Sequence, residues 1–173
     1  AHGSQGTLKQ TRRLKQEEPM EDSSQGNGME AVFRVIDGYR DEVIRLQREL
    51  TSQVALGPDN GGTGEHEKAA FLQGELEGLS PDAVELIRAP DERAAQGYRP
   101  NLIARWNGEG RAPMRWVMSH MDVVPPGDSS LWTGDPFQIR VQADRIYGRG
   151  VEDDQHAIVS ACLAVKAVQE AGR

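Results

Sequence analysis

Two short stretches of this 173-residue chain hold the residue types that could carry chemistry. The first is Ser119-His120-Met121-Asp122-Val123-Val124-Pro125, just past the apolar run Trp116-Val117-Met118. In an extended chain the side chains alternate, so His120 and Asp122 point the same way. An imidazole that binds a metal through one ring nitrogen needs its other nitrogen fixed, commonly by a carboxylate. The spacing suits that arrangement. It also suits an ordinary loop histidine beside an Asp-x-x-Pro turn. The second stretch is Tyr147-Gly148-Arg149-Gly150-Val151-Glu152-Asp153-Asp154. Gly148 and Gly150 allow the backbone to approach a neighbour closely, and three acids then crowd a helix start. Carboxylates stabilise helix N-termini, but three together repel one another, and a bound cation would relieve that repulsion. The run is not a dinucleotide fingerprint, because Asp153 stands where G-x-G-x-x-G requires its third glycine.

The other reactive side chains point elsewhere. His66 lies among charged residues on a predicted helix and reads as solvated surface. His2 sits in a polar N-terminal stretch, and His156 shares a helix face with Asp153, at the rim of that cluster rather than among its ligands. Cys162, the single cysteine, falls on an apolar helix and reads as inert core. One cysteine excludes a disulfide framework and a cysteine-based zinc site. Serine chemistry finds no support. There is no G-x-S-x-G, and Ser119 and His120, adjacent on opposite strand faces, cannot pair as nucleophile and base.

These residues need elements to hold them, and the periodicity supplies a set. Val32, Ile36, Tyr39, Val43, Leu46 and Leu50 recur at three- and four-residue spacing, which predicts one helix over 29–51. A Gly-rich loop at 57–64 leads to a second helix over 65–78. Short strands are expected around 84–88, 102–106 and 115–119, with a polar loop at 89–100. The third strand is continuously apolar, as a central strand covered on both faces would be. Residues 137–141 and 145–147 suggest a hairpin, and 154–171 a helix apolar on most of its surface. Helices alternating with strands indicate an α/β fold with a mixed sheet flanked by helices.

Composition narrows the partners. The 20 basic and 27 acidic residues leave a net charge of −7, opposite to the basic patch of a nucleic-acid binder. No apolar run approaches a membrane span of about 18 residues. Adding the 19 glycines to the 37% hydrophobic residues gives about 48% apolar, enough for a packed core. Residues 1–28 stand apart, because their only apolar residues are Ala1, Leu8, Leu14 and Met20. Such a stretch cannot offset its ordering entropy by burial and is expected to be a disordered tail or upstream read-through. It has no apolar secretory core, and its acids argue against a transit peptide, so a cytoplasmic setting is expected. The organised part is 29–173.

Taken together, SHMDVVPPGD (119–128), WTGDPF (132–137) and RIYGRGVEDD (145–154) resemble the co-catalytic metallopeptidases and deacylases. That family includes acetylornithine deacetylase, succinyl-diaminopimelate desuccinylase, aminoacylase and carnosinase. The resemblance implies that His120 ligates one metal, that Asp122 orients it from behind, and that Asp153 bridges two metals, with a cis peptide to Asp154 shaping the bend. It implies two zinc ions per complete site, with cobalt or manganese as substitutes, and a small N-acyl amino acid or peptide substrate. Where the family commonly has Lys or Asn-Gln and Gly after the bridging acid, this chain has Asp154, Gln155 and His156.

The family also implies a later Glu-Glu pair, another carboxylate ligand, a distal histidine and a separate lid or dimerisation domain, through which a homodimer could form. None of these is within 1–173. The chain is therefore expected to be the N-terminal part of a catalytic domain, inactive alone. The competing expectation is a non-catalytic partial domain or interaction module.

Overall fold

The computed structural model describes residues 23–108 and 113–172. Four helices are α1 (Ser23–Ile36), α2 (Arg40–Ser52), α3 (His66–Gly78) and α4 (His156–Glu170). Two antiparallel pairs accompany them, β1 (Ala83–Pro90) with β2 (Tyr98–Arg105), and β3 (Arg140–Gln142) with β4 (Arg145–Tyr147). The α/β reading therefore stands, and among the described residues no helix is long and apolar enough to cross a membrane.

The single helix expected over 29–51 is two helices. The chain breaks at Asp37-Gly38-Tyr39, where the amides of Gly38 and Tyr39 donate to the carbonyls of Val35 and Ile36. Glycine in a helix interior costs about 1 kcal/mol relative to alanine, which makes Gly38 a weak point. The apolar period runs on through the break, so both helices still bury one stripe. Val32, Leu46 and Leu50 pack with Ile158, Val159, Cys162, Leu163 and Ala167 of α4 in the core. Burial of a leucine such as Leu50 contributes roughly 1.5–3 kcal/mol. The helix also begins at Ser23, ahead of Met29, while residues 1–22 of the expected tail lie outside the described residues.

Charge reinforces the packing of α2, α3 and α4. Arg45 reaches Glu42 at 3.0 Å and Glu75 at 2.6 Å, and Lys166 reaches Glu42 at 3.2 Å. Hydrogen bonds from Arg45, set against partial burial and aided by Lys166, hold the Glu42 carboxyl down at about 2. A depressed carboxylate contributes stability that is present above its unfolded value near 4.5 and is lost as the pH falls through about 2. After allowance for solvent screening this amounts to about 1–2 kcal/mol. Urea unfolding between pH 6 and pH 2 should show Glu42→Gln with a shallower acid decline than the native chain. Equal slopes would mean that the Glu42 pairs contribute nothing to acid sensitivity.

The strands differ from expectation at two places. β1 and β2 extend into the stretch read as a polar loop, pairing Ala89 with Arg99 and Pro90 with Tyr98. The segment 115–119, expected as a covered central strand, forms no strand. Trp116, Val117 and Met118 are exposed by 66%, 70% and 85%. A strand is covered on both faces only when flanking strands and helical layers reach it. The described residues bring it none. The first backbone pairing comes at Val123, whose amide donates to the Ala55 carbonyl at 2.9 Å beside an isolated parallel bridge to Leu56.

Candidate metal centre

The bridge at Val123 positions the first motif. His120 and Asp122 precede it on an irregular segment that Val123 anchors to the chain leaving α2. The second motif follows β4. Gly150 takes φ +83°, and a Cβ placed there would lie 2.6 Å from Val123 Cγ1 and 2.8 Å from Gln155 Nε2. The two motifs thus meet at a Val123–Gly150 contact that only glycine allows.

Beyond Gly150 the chain bends. Asp153 and Asp154 have non-helical backbone angles and are joined by a cis peptide, and the regular helix begins at His156. Gln155 fixes this bend to the body of the protein. It is buried, its amide donates to the Gly150 carbonyl at 3.1 Å, and its side chain accepts from Thr51 Oγ1 at 2.8 Å. Its Nε2 also faces the Leu50 carbonyl at 3.4 Å, and Gln47 donates to the Val151 carbonyl at 3.3 Å. The end of α2 therefore places the acidic bend. Sequence reading named Gln155 only as a departure from the family pattern and missed Thr51 and Gln47, whose one available signal was a polar pair four residues apart beside the apolar stripe of α2.

The outcome is a convergence of two side chains. His120 Nε2 lies 2.9 Å from Asp153 Oδ1, although 33 residues separate them. The other ring nitrogen, Nδ1, lies 3.0 Å from the Asp122 carbonyl and 3.4 Å from its carboxylate. The main-chain carbonyl is thus the nearer acceptor. Burial pushes the His120 pKa down, but the hydrogen bonds to Asp153 and the Asp122 carbonyl, with both carboxylates nearby, raise it overall. Asp153 is open to solvent, its side chain 85% exposed.

Ligand atoms on one tetrahedral zinc stand about 3.3 Å apart, given metal–ligand bonds of about 2.0–2.2 Å. His120 Nε2 and Asp153 Oδ1, in direct hydrogen-bond contact at 2.9 Å, would part by about 0.4 Å to ligate one ion, and imidazole with carboxylate is a suitable donor pair for zinc. Among the described residues no three His, Cys, Asp or Glu side chains form a group that could hold a metal by itself. The chain brings one imidazole and one carboxylate together here, with Asp122 behind the ring.

The other candidates fall elsewhere. The His156 ring bonds the Glu152 carbonyl and lies 3.8 Å from Asp154. Cys162 is buried, and burial first, then Glu75, pushes its thiol up to about 11, in keeping with an inert core residue. His66 corrects the expectation of a solvated side chain. Both its ring nitrogens are buried without a hydrogen-bond partner, and the ring meets Tyr98 edge-on at 4.6 Å. Its charged neighbours Glu65 and Lys68 are themselves buried, so a charged local sequence did not mean an exposed face.

Residues 116–173 match the model of peptidase family M20/M25/M40. An uncharacterized metallohydrolase of Methanococcus maripaludis is 35% identical over 134 residues, covering 75% of this chain and 32% of that protein. A succinyl-diaminopimelate desuccinylase of Gluconobacter oxydans is 35% identical over 129 residues, covering 75% and 30%. The crystal structure of human carnosine dipeptidase 1 shares the fold with a TM-score of 0.64 at 20% identity, over 84% of this chain and 32% of that one. The chain spans about a third of the length of the curated relatives it matches. Residues 116–173 thus carry sequence that matches peptidase family M20/M25/M40, and over 75% of its length the chain is similar to a named metallohydrolase and a named desuccinylase.

Proposed function

We propose that this chain contributes one side of a two-metal centre in a protein that hydrolyses amide bonds of N-acyl amino acids or short peptides. The observation that carries this reading is the meeting of His120 Nε2 and Asp153 Oδ1 at 2.9 Å. The names desuccinylase and dipeptidase, borne by two similar proteins, support the substrate class. His120 and Asp153 would hold the metal, zinc with cobalt or manganese as substitutes, which when bound acts as a Lewis acid on the scissile carbonyl and on water.

The chain's own residues prepare that role. The Asp122 carbonyl and carboxylate accept from Nδ1, so that an ion would take the place of the Nε2 proton that faces Asp153. Asp153, exposed and held by the bend, would lend its carboxylate to the metal. No side chain here is assigned as general base. Glu152 precedes the bridging acid and serves more simply as a helix-terminal charge. The parent protein is read as cytoplasmic, and a homodimer built through a further domain is compatible with the family.

Activity is the test. Purified 173-residue chain with added zinc or cobalt should hydrolyse N-acetyl and N-succinyl amino acids at background rate only. Turnover at an enzyme-like ~1 s⁻¹ or faster, abolished by Asp122→Ala, would show that base and remaining ligands lie within these residues or a second copy. The exposed Trp116-Val117-Met118 run favours a second reading, an interaction module with no hydrolase role. Such a module would bind zinc equally well with or without His120.

A further inference from the structure

His120 and Asp122 sit on an irregular segment whose one backbone pairing, among the described residues, is at Val123, and a segment held at one point can pivot about it. A second hold lies three residues on, at the Pro126 carbonyl. Trp132 Nε1 donates to that oxygen at 2.9 Å, and Arg149 Nη2 donates to it at 3.3 Å. The two donors also meet each other, with the Arg149 guanidinium carbon 5.3 Å from the centre of the Trp132 ring. Arg149 is itself fixed by its main chain. Its amide donates to the Pro136 carbonyl at 2.7 Å, and Gly148 before it is packed so closely that a Cβ would lie 3.0 Å from Val151 and 3.2 Å from Ile139. No counter-charge accounts for a guanidinium here. Its contacts are a carbonyl and an aromatic face rather than a carboxylate, and its Nε is buried without a hydrogen-bond partner, which is costly.

These contacts fall in a register. His120 Nε2 meets Asp153 Oδ1 at 2.9 Å, Val123 meets Gly150, and the Pro126 carbonyl meets Arg149 at 3.3 Å. Residue numbers rise on one side as they fall on the other, so 120–126 and 149–153 lie alongside each other in opposite directions. The two metal donors close one end of this pairing and Arg149 closes the other. We infer that Arg149 is a positioning residue: by holding Pro126 and Trp132 together it stops the first motif from pivoting at Val123, and so sets where His120 stands relative to Asp153. The inference rests on the metal-centre reading above. It also gives Trp132 a part in the site, through the carbonyl it shares with Arg149.

Zinc affinity of the intact chain, measured by competition with a chromophoric chelator well below the melting transition, tests this. Arg149→Met should weaken zinc binding about fivefold, less than the loss of about tenfold or more that follows removal of a group bonded directly to a ligand. Loss of a nearby positive charge alone would instead tighten the binding of a cation. A folded Arg149→Met that binds zinc as the native chain does, or more tightly, overturns the inference. Should that variant not fold, Arg149→Lys decides. It keeps the charge but not the planar fork that bonds Pro126 while lying against Trp132, and should weaken zinc binding about threefold. Native affinity in Arg149→Lys would then overturn the inference. Position, as distinct from stability, is read by NMR in the metal-free chain. The His120 ring nitrogen resonances should move in the folded Arg149 variant and stay in place in Val32→Ala, a core change on α1 away from both motifs. Unmoved resonances in the Arg149 variant, or an equal loss of zinc affinity in Val32→Ala, would also overturn it. His120→Ala separates the two levels. If it leaves zinc binding intact the metal centre is wrong, whereas lost binding there with native binding in the Arg149 variant refutes the role of Arg149 alone.

Discussion

Gly150→Ala should lower the unfolding free energy by about 2–5 kcal/mol, combining left-handed backbone strain of about 1–2 kcal/mol with overpacking of about 1–3 kcal/mol. Both contributions arise at one atom. The backbone at Gly150 has φ +83°, and the added methyl would meet Val123 Cγ1 at 2.6 Å and the buried Gln155 side chain at 2.8 Å. Neither neighbour can easily withdraw. Val123 is held by the hydrogen bond its amide donates to the Ala55 carbonyl, and Gln155 by Thr51. Against a typical total of about 5–15 kcal/mol, the loss would be severe. Gly74 is the control. It lies inside α3 with nothing within 4 Å of its missing Cβ, so Gly74→Ala should stabilise by up to about 1 kcal/mol. Urea unfolding of the two variants should therefore move in opposite directions. Equal stability would mean that Gly150 is not the contact joining the two motifs.

The residues of the proposed site were more legible in the sequence than the scaffold that places them. His120, Asp122 and Asp153 lie in compact motifs whose spacing is local, and sequence reading finds such motifs well. The partners that set their geometry do not show in this way. Thr51 and Gln155 stand 104 residues apart, and nothing near either one announces the other. Lys68 and Glu65 looked like a solvated helix face because the charge that accounts for Glu65, on Arg99, comes 34 residues later. The helix break at Gly38 was hidden for a different reason, since Val32 and Leu46 keep a common apolar period across it. Residues 115–119 mark the opposite failure. Their composition called for burial, but burial is a property of neighbours, and the described residues supply no strand or layer against Trp116, Val117 or Met118.

The central claim is that His120 and Asp153 share one metal ion, and zinc binding to native and variant chains tests it most directly. With two protein donors and the rest of the coordination left to water, the native chain should bind zinc weakly and exchange it readily. Removal of either donor halves the set, so His120→Ala and Asp153→Ala should each reduce affinity by at least about tenfold. The double variant should lose little more than either single one, because both act on the same ion. His156→Ala, whose ring is turned to the Glu152 carbonyl, should bind as the native chain does. Competition with a chromophoric chelator at pH 7.5 gives all five affinities in one experiment. Loss in both single variants, with His156→Ala unaffected, is the predicted result; zinc affinity unchanged by His120→Ala or by Asp153→Ala would contradict the account.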